Sequence, residues 1–183
     1  PSGLRSFTRP VGNLKSSFFK KYIDQVYRQL TALTFYFQGE PYIHPEFLEM
    51  VRYANDRNIY TMTSTNGHFL TPEHCIKTIE SGLDRLIISI DGTTQEVYEQ
   101  YRIEGKLEKV ISGIRNIVEA KKSLKSKRPL VVLQFLVVKP NEHQIPEMRA
   151  LTKSLGANQL VLKTAQIYDY THGSNLIPEQ AIY

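Results

Sequence analysis

Cysteine is almost missing from this chain: Cys75 is the only one in 183 residues. One thiol excludes an intrachain disulfide, and it excludes any cysteine-rich zinc or iron–sulfur site built from this chain alone. Long apolar runs are missing as well. None approaches the roughly 18 consecutive apolar residues of a membrane span, and no basic, apolar, small-residue signal opens the sequence, so the expectation is a soluble, cytoplasmic protein without a membrane partner. There is no Ser-His-Asp triad, no phosphate P-loop and no Gly-x-Gly-x-x-Gly fingerprint. What is present is ordinary globular composition, with 41% apolar residues. That excludes a disordered or collagen-like chain and fits one domain with a sizeable core.

Basic charge exceeds acidic, 23 Lys+Arg against 18 Asp+Glu, giving a net charge of +5 and a pI near 9.2. Much of the surplus lies in Lys121, Lys122, Lys125, Lys127 and Arg128. This run falls at the polar end of a predicted helix, where cations suit the helix C-terminus. No aromatic residues are interleaved with it, so it reads as a solvated face and not as a nucleic-acid tract.

Periodicity predicts regularly alternating helices and strands. Phe18, Phe19, Tyr22, Ile23, Val26 and Leu30 repeat at helical spacing, and Ala32 to Phe37 reads as a strand. A helix follows with Pro45 at its first position, then a strand over Ile59 to Thr63. Thr71-Pro72-Glu73 reads as a cap followed by an N1 proline, and Gly82 closes that helix before a strand from Arg85 to Ile90. The clearest helix carries Leu107, Val110, Ile111, Ile114, Ile117 and Val118 on one face. Leu130 to Val138, a helix bearing Ile145, Met148, Leu151 and Leu155 that stops at Gly156, and a strand from Leu160 to Thr164 complete the pattern. Strands that read as continuous apolar runs point to a parallel sheet with both faces covered, barrel-like or doubly wound. From Ile167 to Tyr183 the apolar rhythm fades.

In parallel α/β folds the working residues collect at the C-terminal strand ends. Here those ends read Gln38-Gly39-Glu40-Pro41, Ser64-Thr65-Asn66-Gly67 and Ser89-Ile90-Asp91-Gly92. Gly39 lets a ligand approach the backbone, Glu40 offers an anion to an ammonium group, and Pro41 stiffens the turn; the same residues also make plain turns. Asp91 suits ribose hydroxyls or a turn ahead of a helix capped by Thr93 and boxed by Glu96. Gln134 is the one polar side chain inside an apolar strand and needs a partner, ligand or protein. Arg102, in a loop after Tyr98 and Tyr101, suits a carboxylate or the open surface. Cys75 reads as a buried small hydrophobe, and His44 and His68 as capping or surface residues.

Taken in order, these strand-end motifs and the Tyr98-x-x-Tyr101-Arg102 segment resemble the core of a radical SAM enzyme, from about Leu30 to Thr164. The likeness is greatest to members with SPASM or twitch extensions and to molybdopterin-biosynthesis relatives. The family's Gly-Gly-Glu-Pro loop carries Gln38 here in place of its first glycine. The resemblance implies a partial open (β/α)6 TIM-type barrel with a parallel sheet and its first strand missing. It implies S-adenosylmethionine (SAM) as cofactor, its amino group held at Gly39, Glu40 and Pro41. Thr65 and Asn66 would line the rim, Ser89 and Arg102 would lie near ribose and carboxylate, and Gln134 would reach the ribose. Asp91 belongs to the matched motif with a less defined contact.

The family's defining C-x3-C-x2-C loop, which gives three thiolates to a [4Fe-4S] cluster, has no counterpart in this sequence. The expectation is therefore a truncated core domain over residues 1–166 and a tail or linker over 167–183 towards a further domain. The intact enzyme would bind cluster and SAM, take an electron from a donor, and cleave SAM to a 5′-deoxyadenosyl radical that abstracts hydrogen from a small molecule or a peptide. This chain alone would be inactive, with no cofactor bound. Removing a first strand would bare the edge near Leu33–Phe37 and invite self-association. The alternative is a cluster-free α/β binding or scaffolding module. A barrel hydrolase or aldolase is disfavoured, because no nucleophile–base pair or Schiff-base lysine stands out at a strand end, although Lys139 and Lys163 lie near such ends.

Overall fold

The computed structural model describes residues 12–37, 39–165 and 176–179. Gln38 and most of the 167–183 tail lie outside the described residues. Helix α1 (Ser16–Val26) leads into the short strand β1 (Ala32–Thr34), followed by α2 (Phe47–Asn55), β2 (Tyr60–Thr65), α3 (Pro72–Glu80) and β3 (Arg85–Ser89). Then come α4 (Gln95–Tyr101), α5 (Leu107–Ser123), β4 (Leu130–Val137), α6 (Ile145–Leu155) and β5 (Gln159–Thr164). The five strands lie in chain order β1-β2-β3-β4-β5, every neighbouring pair parallel. Each helix thus crosses back over one face of the sheet, which gives part of a β/α barrel. Among the described residues no helix is long and apolar enough to cross a membrane.

Alternation along the strands sorts residues between two faces. Leu86, Ile88 and Ile90 from the β3 segment and Val131, Leu133, Phe135 and Val137 of β4 pack against Val110, Ile114 and Ile117 of α5 and Met148 of α6. A second cluster joins Phe19 and Ile23 of α1 to Met50 and Ala54 of α2. Each fully buried branched side chain contributes about 1.5–3 kcal/mol. The opposite, inner face carries Ile87 beside Val132 and Ser89 beside Gln134, and none of the four belongs to either helix-packed cluster. Of the two arrangements expected, the barrel-like one is found: helices cover the outer face, and the strands' other apolar residues line the inside of the curved sheet.

Thr71 caps α3 as expected, its hydroxyl accepting the His74 N–H at 3.2 Å with Pro72 in the first turn. Four local expectations are corrected. Strand β1 stops at Thr34, although the Phe35 N–H still reaches the Met62 carbonyl at 2.8 Å; Phe35 packs between Phe19 and Phe47, with centroids 5.6 and 5.7 Å away, and Phe37 beyond it is 91% exposed. The proline that opens a helical turn here is Pro41, first residue of the 3-10 turn Pro41–Ile43, whereas Pro45 precedes α2. Thr94 caps α4 in place of Thr93, whose N–H is taken by Gln144 Oε1 at 2.8 Å, so Glu96 completes no capping box with Thr93. Tyr98 and Tyr101 belong to α4 itself, and only Arg102 follows it.

Candidate functional site

Glu40 joins the loops after β1 and β2. Its Oε1 accepts the Thr65 hydroxyl at 2.8 Å and the Tyr42 N–H at 3.2 Å, and its Oε2 accepts the Asn66 N–H at 2.7 Å. Burial pushes the carboxyl's pKa up, and these hydrogen bonds oppose the rise. Tyr42 anchors the loop from below, with its ring edge-on to Phe47 at 5.2 Å and its hydroxyl 2.9 Å from that of Thr78. Gly39 is exposed with φ +86°, a conformation that disfavours other residues, and nothing lies within 4 Å of where its Cβ would be. Open backbone at Gly39 thus lies next to a half-buried carboxylate at Glu40.

The β2 loop is held as firmly. Thr65 Oγ1 accepts the Gly67 N–H at 3.1 Å, and Asn66 Oδ1 accepts the His68 N–H at 2.9 Å. His68 Nε2 accepts the Lys106 N–H at 3.0 Å, so its proton sits on Nδ1, which donates to the Asn66 carbonyl at 3.1 Å. His68, expected as a capping or surface residue, is half-buried and tethers the β2 loop to the Lys106 N–H just ahead of α5. Gly67 has φ +80°, and its carbonyl lies 2.6 Å from where a Cβ on Gly113 would be, so α5 presses directly on this loop.

Asp91 is 1% exposed and fully engaged. Its Oδ1 accepts the Leu136 N–H of β4 at 2.8 Å, and its Oδ2 pairs with Arg102 Nε. Burial works against the guanidinium's charge, but Asp91 outweighs it and holds the Arg102 pKa above its ordinary value. Asn141 completes the clasp by donating to the Asp91 and Leu136 carbonyls at 2.9 and 2.8 Å and accepting the Val138 N–H at 2.8 Å. Sequence reasoning missed Asn141. The signal was an Asn shortly after a strand, which reads equally well as loop. The Asp91 carboxylate therefore acts on the chain itself, and the pair engages Arg102 through Nε, with no hydrogen-bond partner for its terminal nitrogens among the described residues.

Ser89 and Gln134 are register partners across β3 and β4, so both side chains share the inner face at the strand ends. Among the described residues neither side chain has a hydrogen-bond partner, although Ser89 is only 7% exposed. The polar residue predicted to need a partner is thus aimed, with a second one, at the space inside the sheet. Lys139 is paired with Glu179 at 2.9 Å, and Lys163 is exposed.

Cys75 is completely buried, and burial raises its pKa to about 12, which fits the packing role expected of it. No group of three His, Cys, Asp or Glu side chains converges among the described residues. The donor set for a thiolate-held cluster is therefore not in this chain, whereas the Gly39–Glu40 opening and the Ser89–Gln134 pair do fit an amino-acid-linked nucleoside.

Sequential parallel strands with polar, glycine-bearing loops at their C-terminal ends define a β/α-barrel protein, a class whose working residues collect at that rim. The family model described as the radical SAM superfamily matches residues 7–151, and the chain belongs to that superfamily. It is 30% identical over 156 residues to the AdoMet-dependent heme synthase of Methanosarcina barkeri, covering 85% of this chain and 43% of the relative. With mycofactocin maturase MftC of Mycobacterium tuberculosis it shares 28% over 149 residues, 81% of this chain and 37% of the relative. The chain spans less than half the length of these curated relatives. Among solved structures, Streptococcus suis SuiB bound to S-adenosylmethionine aligns with a TM-score of 0.71 at 12% identity, over 91% of this chain and 38% of that one. Native anSMEcpe with bound AdoMet and Kp18Cys peptide aligns with 0.71 at 17%, over 96% and 50%. The fold is thus a partial radical SAM barrel.

Proposed function

We propose that this chain is the SAM-holding part of a radical SAM enzyme, with residues 1–166 as the core domain and 167–183 as its tail. The observation that carries the reading is the Ser89–Gln134 pair, two polar side chains in register on the inner face with no hydrogen-bond partner among the described residues. In this reading Gly39 and Glu40 receive the methionyl ammonium group, while Thr65 and Asn66 hold the carboxylate of Glu40 in place. Ser89 and Gln134 hydrogen-bond the ribose, and the free nitrogens of Arg102 face the methionyl carboxylate. Bound SAM supplies a sulfonium whose reductive cleavage yields a 5′-deoxyadenosyl radical. That cleavage requires a [4Fe-4S] cluster and an electron donor, and a chain with one cysteine does not supply the cluster's thiolates. Alone it binds SAM weakly and does not cleave it. The relatives are named for unlike products, so the substrate is proposed no more finely than a small molecule or a peptide.

The test is a SAM titration of the chain followed by amide NMR. Shifts confined to Gly39, Asn66, Ser89 and Gln134, lost in Ser89→Ala/Gln134→Ala, support the reading; saturable binding elsewhere, or none at millimolar SAM, overturns it. The single cysteine favours a second reading, a cluster-free α/β binding or scaffolding module. It gains if SAM leaves these amides unmoved.

The same proposal includes self-association at β1, whose outer edge is unpaired among the described residues. Phe37, together with Phe18 (62% exposed) and Tyr22 (57%) on α1, adds apolar surface nearby. Sedimentation that remains monomeric at high concentration would refute it.

A further inference from the structure

At the end of the sheet opposite the Glu40 rim, where α5 stops and β4 and β5 begin, a cavity of about 320 Å³ opens. It is lined by Val118, Lys121, Lys122, Lys125, Ser126 and Gly156. Lysines at a helix C-terminus usually serve its bare carbonyls. Here the chain caps them itself: Leu124 N–H donates to the Ala120 carbonyl at 3.0 Å, Lys125 N–H to Lys122 at 3.1 Å, and Ser126 N–H to Lys121 at 2.9 Å. Nor does any described carboxylate form an ion pair with Lys121, Lys122 or Lys125, whereas neighbouring Arg128 is matched by Asp84 at 2.9 Å.

The site is also partly built. Lys121 Nζ donates to Asn158 Oδ1 at 3.0 Å, and that oxygen also accepts the Val131 N–H at 2.9 Å, so one ammonium is fixed to the start of β4. Burial lowers the Lys121 pKa, and no anion offsets it. The negative end of the α5 dipole, roughly half an elementary charge, is smaller than the positive charge of the three ammonium groups.

We propose that this cavity binds a small phosphorylated anion. Its volume lies at the lower end of small-molecule sites, and three lysines on its wall, two of them exposed, can meet the multiple charges of a diphosphate. The position separates it from the rim, so the ligand is an effector and not the substrate, and the inference stands independently of the SAM reading.

Inorganic pyrophosphate titrated into the 183-residue chain, followed by calorimetry and amide NMR, tests it. The expected result is one site per chain, with shifts confined to residues 118–126 and 156–158. Affinity should fall at least tenfold in Lys121→Gln/Lys122→Gln/Lys125→Gln and less than twofold in Lys15→Gln/Lys21→Gln, at the start of α1 and within it, with circular dichroism unchanged in both. Equal losses in the two variants, or shifts over the whole basic surface, would overturn it as non-specific ion pairing. So would saturation of these lysines by a glutamate peptide with no binding of pyrophosphate, which would make the patch a protein contact.

Discussion

The Asn66 backbone N–H meets Glu40 Oε2 at 2.7 Å, which ties two loops from adjacent strand ends through one half-buried carboxylate. Burial raises that carboxylate's pKa in the folded chain. The folded state therefore holds a proton more tightly than the unfolded state, and Glu40 lowers stability as pH rises from the ordinary carboxylate range through the raised folded value. Urea unfolding of the wild type and Glu40→Gln across pH 4 to 7 should show that downward slope only in the wild type. Parallel pH profiles would count against it.

Arg102 and Asp91 form a second tie with a different sign of consequence. Removing one partner leaves the other's charge in a poorly hydrated place. Arg102→Ala should destabilise the fold by about 2–4 kcal/mol, because Asp91 is then buried unpaired. Asp91→Ala should cost at least as much, since the Leu136 N–H also loses its acceptor. Chemical denaturation measures both, and a change under about 0.5 kcal/mol in either would mean that the pair is not formed.

Gly113 tests the packing of α5 on the rim. In an exposed helix Gly→Ala would stabilise by up to about 1 kcal/mol. Here the new Cβ would fall 2.6 Å from the Gly67 carbonyl. Gly113→Ala should instead destabilise by about 1–3 kcal/mol and weaken SAM binding through the displaced Asn66 loop. A stabilised variant would show that this contact is loose.

The thiol of Cys75, buried and with its pKa raised to about 12, should resist a disulfide reagent at pH 8 in the native chain and react fully in denaturant. Rapid native labelling would contradict the packing of α3.

Long periodic elements were legible in the sequence because one face of each is apolar: the stripe from Leu107 to Val118 is α5, and Leu130 to Val138 is β4 within a residue. The strand-end loops were legible too, through their glycines and polar residues. Less visible were features that depend on distant partners. Thr93 loses its cap to Gln144, 51 residues away, and Asp91 is drawn inward by Arg102, Leu136 and Asn141. Composition could not show that the lysines after Ala120 surround a hollow.

The alignment of β3 with β4 sets Ser89 across from Gln134 and, two steps earlier, Ile87 across from Val132. Deleting a single residue from the middle of β4 would invert everything downstream in that strand. Gln134 would then be driven among the isoleucines of α5 while Phe135 swung into the barrel's hollow. Short deletions here should accordingly be far less tolerated than hydrophobic substitutions of the same size.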